Sequence, residues 1–138
     1  MKMISVPKVL LFVCDASQKA ILQQTLAHHA ELAWACNLQE MTQQLEQARY
    51  DALFCSSTLC TGSWGEALKQ VRQFYPDVPV IILSRTADEK EWVEVLDAGA
   101  FDLLGLPCSE RTLLSVMEHA MASCEALAWH PVSSLQTA

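Results

Sequence analysis

The sequence lacks any apolar run long enough to cross a membrane. Its longest wholly apolar stretch is Val9–Cys14, far below the roughly 20 residues that a spanning helix needs. The opening MKMISVP has no apolar centre long enough for a signal peptide, so neither a membrane partner nor export is expected, and the chain is placed in the cytoplasm. Basic residues are scarce: nine Lys and Arg stand against 16 Asp and Glu, a formal net charge of -7. Such a surface does not neutralise phosphates, which argues against nucleic acid as a partner. No CxxC pair occurs among the six cysteines, Cys14, Cys36, Cys55, Cys60, Cys108 and Cys124. Most lie in or beside apolar runs, where reduced thiols act as small hydrophobes. Glycine fingerprints are missing too. CTGSWG fits neither GxGxxG nor the Walker pattern, and CDASQKA, after the first apolar run, has no glycine, so no nucleotide loop is read.

What is present is one ordered domain. The 138 residues are 51% hydrophobic and 18% charged, enough for a sizeable core. Short β-like runs alternate with amphipathic segments. The predicted strands are Lys8–Cys14, Glu31–Cys36, Ala52–Ser56, Val78–Ser84 and Phe101–Leu104. The first and fourth are continuous Val, Ile and Leu runs, as expected of strands buried on both faces of a parallel sheet. Asp15 with Gln18, Asn37 with Glu40, and Thr86 with Glu89 have the spacing of helix-capping boxes. Ser109 is placed to cap the last helix, and Gly99 to end the fourth. Right-handed crossovers then select a five-stranded, doubly wound, flavodoxin-like α/β sheet. Residues 1–7 form an N-terminal extension, 8–124 the domain, and 125–138 a C-terminal tail.

Strand ends are where chemistry sits in such sheets. Three kinds of chemistry are weighed there. The hydroxyls of Ser56–Thr58 and Thr61 offer donors to a flavin phosphate, but a hydroxyl-rich turn needs no ligand. Cys14, Cys55, Cys60 and Cys108 fall near strand ends, yet their spacing is irregular for zinc and His28, His29, His119 and His130 fall in or beside helices. Ser56, Ser57 and Ser84 have no nucleophile-elbow pattern and no nearby histidine to activate them.

Read together, VLLFVCDAS, YDALF, VPVIILS, DAGAFDLLGLP and SERTLLSVMEHAM resemble the CheY-like receiver domain of bacterial response regulators, from Lys8 to about Cys124. That resemblance implies phosphoryl transfer from a phosphohistidine to an aspartate ending strand three, with Mg²⁺ on an acidic pair after strand one. It further implies a Thr or Ser at strand four and a Lys before a Pro at strand five. Here the phosphoacceptor position falls on Ser56 or Ser57, depending on where a one-residue loop insertion lies. The acidic pair falls on Cys14 and Asp15, the switch hydroxyl on Ser84, and the Lys on Leu106, followed by Pro107.

A serine hydroxyl is far less acidic than a carboxyl and no base is evident to activate it. One carboxylate beside a thiol suits Mg²⁺ poorly. The expectation is therefore a degenerate receiver with no enzyme activity, no cofactor and weak or absent Mg²⁺ binding, acting in two-component or phosphorelay signalling by protein–protein contact. Its partners would be a histidine kinase, an output or regulator protein, or a second copy, met through the face of helix four, strand five and helix five. On that face Trp92, Val95, Leu103 and Val116 are the candidate contacts, with Val93 and Leu96 taken as buried. A one-domain adaptor and a domain of a longer regulator both fit. Two alternatives stand beside it: a receiver-like sensor switched by cysteine redox chemistry at Cys14 or Cys60, and a small flavodoxin-like ligand-binding protein.

Overall fold

Apolar side chains on both faces of every central strand demand cover on both sides, and helices supply it. A computed structural model describes residues 7–57, 63–106 and 108–129, with side chains in the last helix to 122. The order is β1 (Lys8–Phe12), α1 (Ala16–Leu26), β2 (Glu31–Ala35), α2 (Leu38–Gln47), β3 (Ala52–Ser56), α3 (Trp64–Phe74), β4 (Val80–Ser84), α4 (Glu89–Asp97), β5 (Asp102–Gly105) and α5 (Glu110–Trp129). The five strands are parallel in the order β2-β1-β3-β4-β5. This is the doubly wound, flavodoxin-like sheet expected from the alternation. The β1/β3 junction, where strand order reverses, lies at the middle of the carboxyl edge. Pro107, Thr58, Cys60, Thr61 and residues 1–6 and 130–138 lie outside the described residues, as do the side chains from 123 onward.

Strand alternation splits the core in two. Leu10, Phe12, Leu53, Cys55, Val80 and Ile82 face α2, α3 and α4, meeting Met41, Leu45, Leu68, Val71 and Val95. Val9, Leu11, Phe54, Ile81 and Leu83 face α1 and α5, meeting Leu22, Leu26, Leu113 and Met117. The residues of β3 and β4 are buried along their whole length, which is why those runs show no polar alternation.

Caps set the helix starts. Asn37 Oδ1 accepts from Glu40 N at 2.8 Å. Ser63 and Glu66 form a reciprocal capping box at the head of α3, a pair the sequence reading did not single out. Ser109 Oγ accepts from Thr112 N at 3.1 Å. The cap expected at Thr86 is corrected: the N-cap of α4 is Asp88, whose Oδ1 accepts from Glu91 N at 2.8 Å. Thr86 belongs to the preceding turn, where its hydroxyl serves another purpose described below.

The candidate contact residues also need correction. Val95 is fully buried and Leu103 is 7% exposed, both in the core under α4. The exposed pair on α4 is Trp92 (46%) and Val93 (54%), and Leu96 is half-buried. Val116 is partly buried against the α1–α5 core. The helix is turned so that Glu91 and Val95, four residues apart, face inward. Trp92 is exposed as the sequence suggests, whereas Val93 and Val95 exchange their expected places.

Gly99 follows α4 with φ 103, and a Cβ placed there would meet nothing within 4 Å. Its role is purely conformational. Gly99→Ala is expected to cost about 1–2 kcal/mol from the left-handed backbone alone, read as a lower midpoint in urea unfolding. An unchanged midpoint would contradict this.

Candidate functional site

The carboxyl edge of the sheet gathers Cys14 and Asp15 after β1, Ser56 and Ser57 at β3, Ser84 at β4 and Leu106 after β5. Parallel register brings them together: Phe12 pairs with Cys55, Ser56 with Leu83, and Ser84 with Gly105. The sequence reading placed every one of these positions at that edge. Ser56 is 1% exposed and Ser57 is half-buried, its N–H donating to Leu83 O at 2.7 Å.

Asp15 is the N-cap of α1. Its Oδ1 accepts from Ser17 N at 2.8 Å and Ser17 Oγ at 2.7 Å, and its Oδ2 is ion-paired with Arg85. The Ser17 bonds, with the Arg85 guanidinium after them, lower its pKa to about 2. Both carboxylate oxygens are thus engaged within the chain. Arg85 itself is mostly exposed (70%), whereas Asp15 is 28% exposed.

Ser84 is 2% exposed and its hydroxyl is saturated. It donates to Glu91 Oε1 at 2.7 Å and accepts from the N–H groups of Thr86 and Ala87, both at 3.1 Å. Thr86 Oγ1 donates to the same Glu91 oxygen at 2.8 Å. One carboxylate therefore ties the end of β4 to the first turn of α4. Within the turn, Ala87 takes φ 45, a conformation that an alanine adopts only when its surroundings impose it. Gly105 fits opposite, because a Cβ there would sit 3.1 Å from Ala87 Cβ.

Leu106 is 5% exposed and belongs to the α1–α5 core. Its position therefore contributes apolar packing and no charge to the edge.

The thiols divide by environment. Cys55 is fully buried, and burial pushes its pKa up to about 12. Burial also raises Cys108. Cys14 Sγ donates to Cys36 O at 2.9 Å, and Cys36 Sγ accepts from Lys19 Nζ at 3.6 Å. No group of three or more His, Cys, Asp or Glu side chains is arranged to hold a metal among the described residues. No helix among them is long and apolar enough to cross a membrane.

Arg85, Glu91 and Ser17 were missed in the sequence. The Asp88-to-Glu91 spacing carried a signal for α4's true cap. The Arg85–Asp15 pair spans 70 positions and has no local signature.

Comparison with known proteins adds an independent finding. The family model for the response regulator receiver domain matches residues 13–118. The transcriptional regulatory protein ZraR of Klebsiella oxytoca is 28% identical over 109 residues, covering 78% of this chain and 25% of that protein. The chain thus spans about a quarter of the length of the curated relatives it matches. Among solved structures, the receiver domain of sensor histidine kinase PA1611 from Pseudomonas aeruginosa PAO1, which has a magnesium ion coordinated in its active site cleft, superposes with TM-score 0.76 at 19% identity. That match covers 86% of this chain and 99% of that one. The chemotaxis response regulator CheY4 of Vibrio cholerae gives TM-score 0.76 at 23% identity, covering 84% and 99%. At these identities the structural likeness speaks for the fold.

Two expectations follow from the site. Asp15 should titrate near pH 2, well below an ordinary carboxyl near 4, with Ser17→Ala raising the midpoint more than Arg85→Met. Because the folded-state value is depressed, its contribution to stability is complete above the unfolded pKa and fades as pH falls toward 2. A carboxyl ¹³C titration reads this directly, and an ordinary midpoint would contradict it. Glu91→Ala should destabilise the fold by about 1–3 kcal/mol, since it removes the charged acceptor shared by the Ser84 and Thr86 hydroxyls. Thermal unfolding matching wild type would refute that bond's role.

Proposed function

Because the chain belongs to the response regulator receiver domain family, whose members are signalling modules, we propose that it works in two-component signalling by protein–protein contact, without phosphorylation of an aspartate. The observation that carries this is the state of the carboxyl edge. Asp15 is the carboxylate after β1 that the resemblance assigns to Mg²⁺, and both its oxygens are held by Ser17 and Arg85.

The chemistry of the donor set supports the same reading. Mg²⁺ prefers hard oxygen ligands in octahedral array, commonly carboxylates with waters. Asp15 faces a guanidinium, and its neighbour Cys14 offers a thiol. These residues do not fit the ion.

The two other roles are equally altered. Ser56 and Ser57 occupy the acceptor positions, where a hydroxyl needs an activating base. Where the resemblance expects a lysine, Leu106 is buried among apolar side chains, so the cation that would meet developing phosphoryl charge is replaced by packing. Ser84 retains a hydroxyl, but Glu91, Thr86 and Ala87 already satisfy it.

A scaffold fixed in this way exerts its effect through its surface. The exposed Trp92–Val93 pair on α4 is the proposed contact for a kinase, an output protein or a second copy, in the cytoplasm. Isolated exposed apolar residues are common; two large ones side by side on one helix turn favour an interface. The redox-switched alternative rests on Cys14, whose thiol donates to Cys36 O at 2.9 Å, and on Cys60, which lies outside the described residues.

The test is intact-mass analysis after incubation with Mg²⁺ and acetyl phosphate. An unchanged mass is expected. Gain of one phosphoryl group, acid-stable on Ser56 or Ser57 or acid-labile on a carboxylate, would overturn the proposal.

A further inference from the structure

Away from Ser56 and Ser84, a second cluster of nucleophilic side chains forms beside β2. Lys19 of α1 reaches Cys36, the residue that follows β2, and its Nζ donates to Cys36 Sγ at 3.6 Å. The ammonium also lies over the Trp34 ring, 5.9 Å from its centroid, a contact that attracts cations. Cys36 N–H donates to Glu40 Oε1 at 2.8 Å, in the first turn of α2. Both partners are thus placed by the fold, although 17 positions separate them.

Three observations bear on what such a pair does. Lys19 and Cys36 are both half-buried, which leaves them open to small solutes. Among the described residues Lys19 forms no ion pair with a carboxylate, so its amine is not committed elsewhere. The neighbouring thiol, Cys14, is turned to the backbone, its Sγ donating to Cys36 O at 2.9 Å, so the group set on the Cys36 sulfur is the lysine. Partly exposed thiols beside a cation are those that peroxides oxidise, and a sulfenic acid condenses with a nitrogen held against it. We propose that Cys36 and Lys19 form a peroxide-driven modification site, in which oxidation joins Cys36 Sγ to Lys19 Nζ.

The step consumes one hydrogen peroxide. The Cys36 thiol is oxidised to a sulfenic acid as the O–O bond breaks, and the peroxide is reduced to water. Lys19, having lost one proton to solvent, then attacks sulfur through Nζ. The S–N bond forms, the S–O bond breaks, and the hydroxyl leaves as water with a second amine proton. The product is a sulfenamide, which excess thiol reduces back to the free pair. It ties α1 to the β2–α2 connection, beside the edge that carries Asp15, and gives the domain an input that needs no phosphoryl group. The redox alternative above concerns Cys14 and Cys60; this site uses neither, and it stands whether or not the edge accepts a phosphoryl group.

The experiment treats the reduced whole chain with hydrogen peroxide, blocks the remaining thiols with iodoacetamide and maps tryptic peptides by mass. Trypsin cuts after Lys8, Lys19 and Arg49, so an Nζ joined to sulfur blocks the cut at Lys19. A continuous peptide over residues 9–49 is expected, about 2 Da below its reduced mass apart from the label on Cys14. Dithiothreitol before digestion should restore the cut. Lys19→Arg and Cys36→Ser should each abolish the link and Cys14→Ser should keep it, with circular dichroism showing that the variants fold. Denaturing urea before the peroxide should abolish it too, since the fold supplies the contact. A Cys14–Cys36 disulfide, which leaves the Lys19 cut intact, would overturn the proposal. So would a linked peptide that keeps the oxygen, or a normal Lys19 cut with Cys36 unreacted or oxidised to a sulfinic acid. Acetyl phosphate labelling reads different chemistry at different residues, so the two proposals fail separately.

Discussion

A single carboxylate, Glu91, holds the end of β4 to the start of α4, and much of the molecule's character follows from that bond. A hydroxyl buried at a strand end must find partners. Ser84 finds them in Glu91 and in two N–H groups of its own turn. Drawing Glu91 inward fixes the rotation of α4, so Val95 enters the core while Trp92 and Val93 face solvent. It also tightens the turn enough to hold Ala87 at φ 45, and the absence of a side chain at Gly105 leaves room for that turn. Surface, turn and strand end are thus one connected arrangement. A Ser84 hydroxyl released toward the centre of the edge would require all three to change.

Charge at the same edge is arranged with equal economy. The Asp15 carboxylate is satisfied by a helix-capping interaction with Ser17 and by Arg85. The guanidinium approaches from the end of β4, whereas the cation that the family resemblance implies would approach from β5. That β5 position is Leu106, turned into the core. Arg85 and Asp15 thus balance each other's charge at this edge.

The architecture was legible in the sequence because burial on both sheet faces writes itself as unbroken apolar runs, as in Val9–Phe12 and Val80–Leu83. Alternation and crossover handedness supplied the rest. The strand pattern placed Cys14, Ser56 and Ser84 at one edge, and the family resemblance added Asp15 and Leu106. The phase of α4 was not legible: Trp92, Val93, Val95 and Leu96 give two apolar stripes, and the choice between them turns on a polar residue, Glu91, pulled inward by a partner seven positions earlier. The Arg85–Asp15 pair and the buried Gln18 amide were hidden for a similar reason, since each depends on neighbours brought close only by the fold.

The central claim is that this edge does not adopt the phosphorylated form of a receiver. Beryllofluoride with Mg²⁺ mimics a phosphoryl group on an acceptor carboxylate, so its addition, followed by ¹H–¹⁵N correlation spectra, addresses the claim without any kinase. The account predicts unchanged signals at Ser56, Ser57, Ser84 and along α4. Saturable shifts that spread from Ser56 or Ser57 through Ser84 to Trp92 would contradict it.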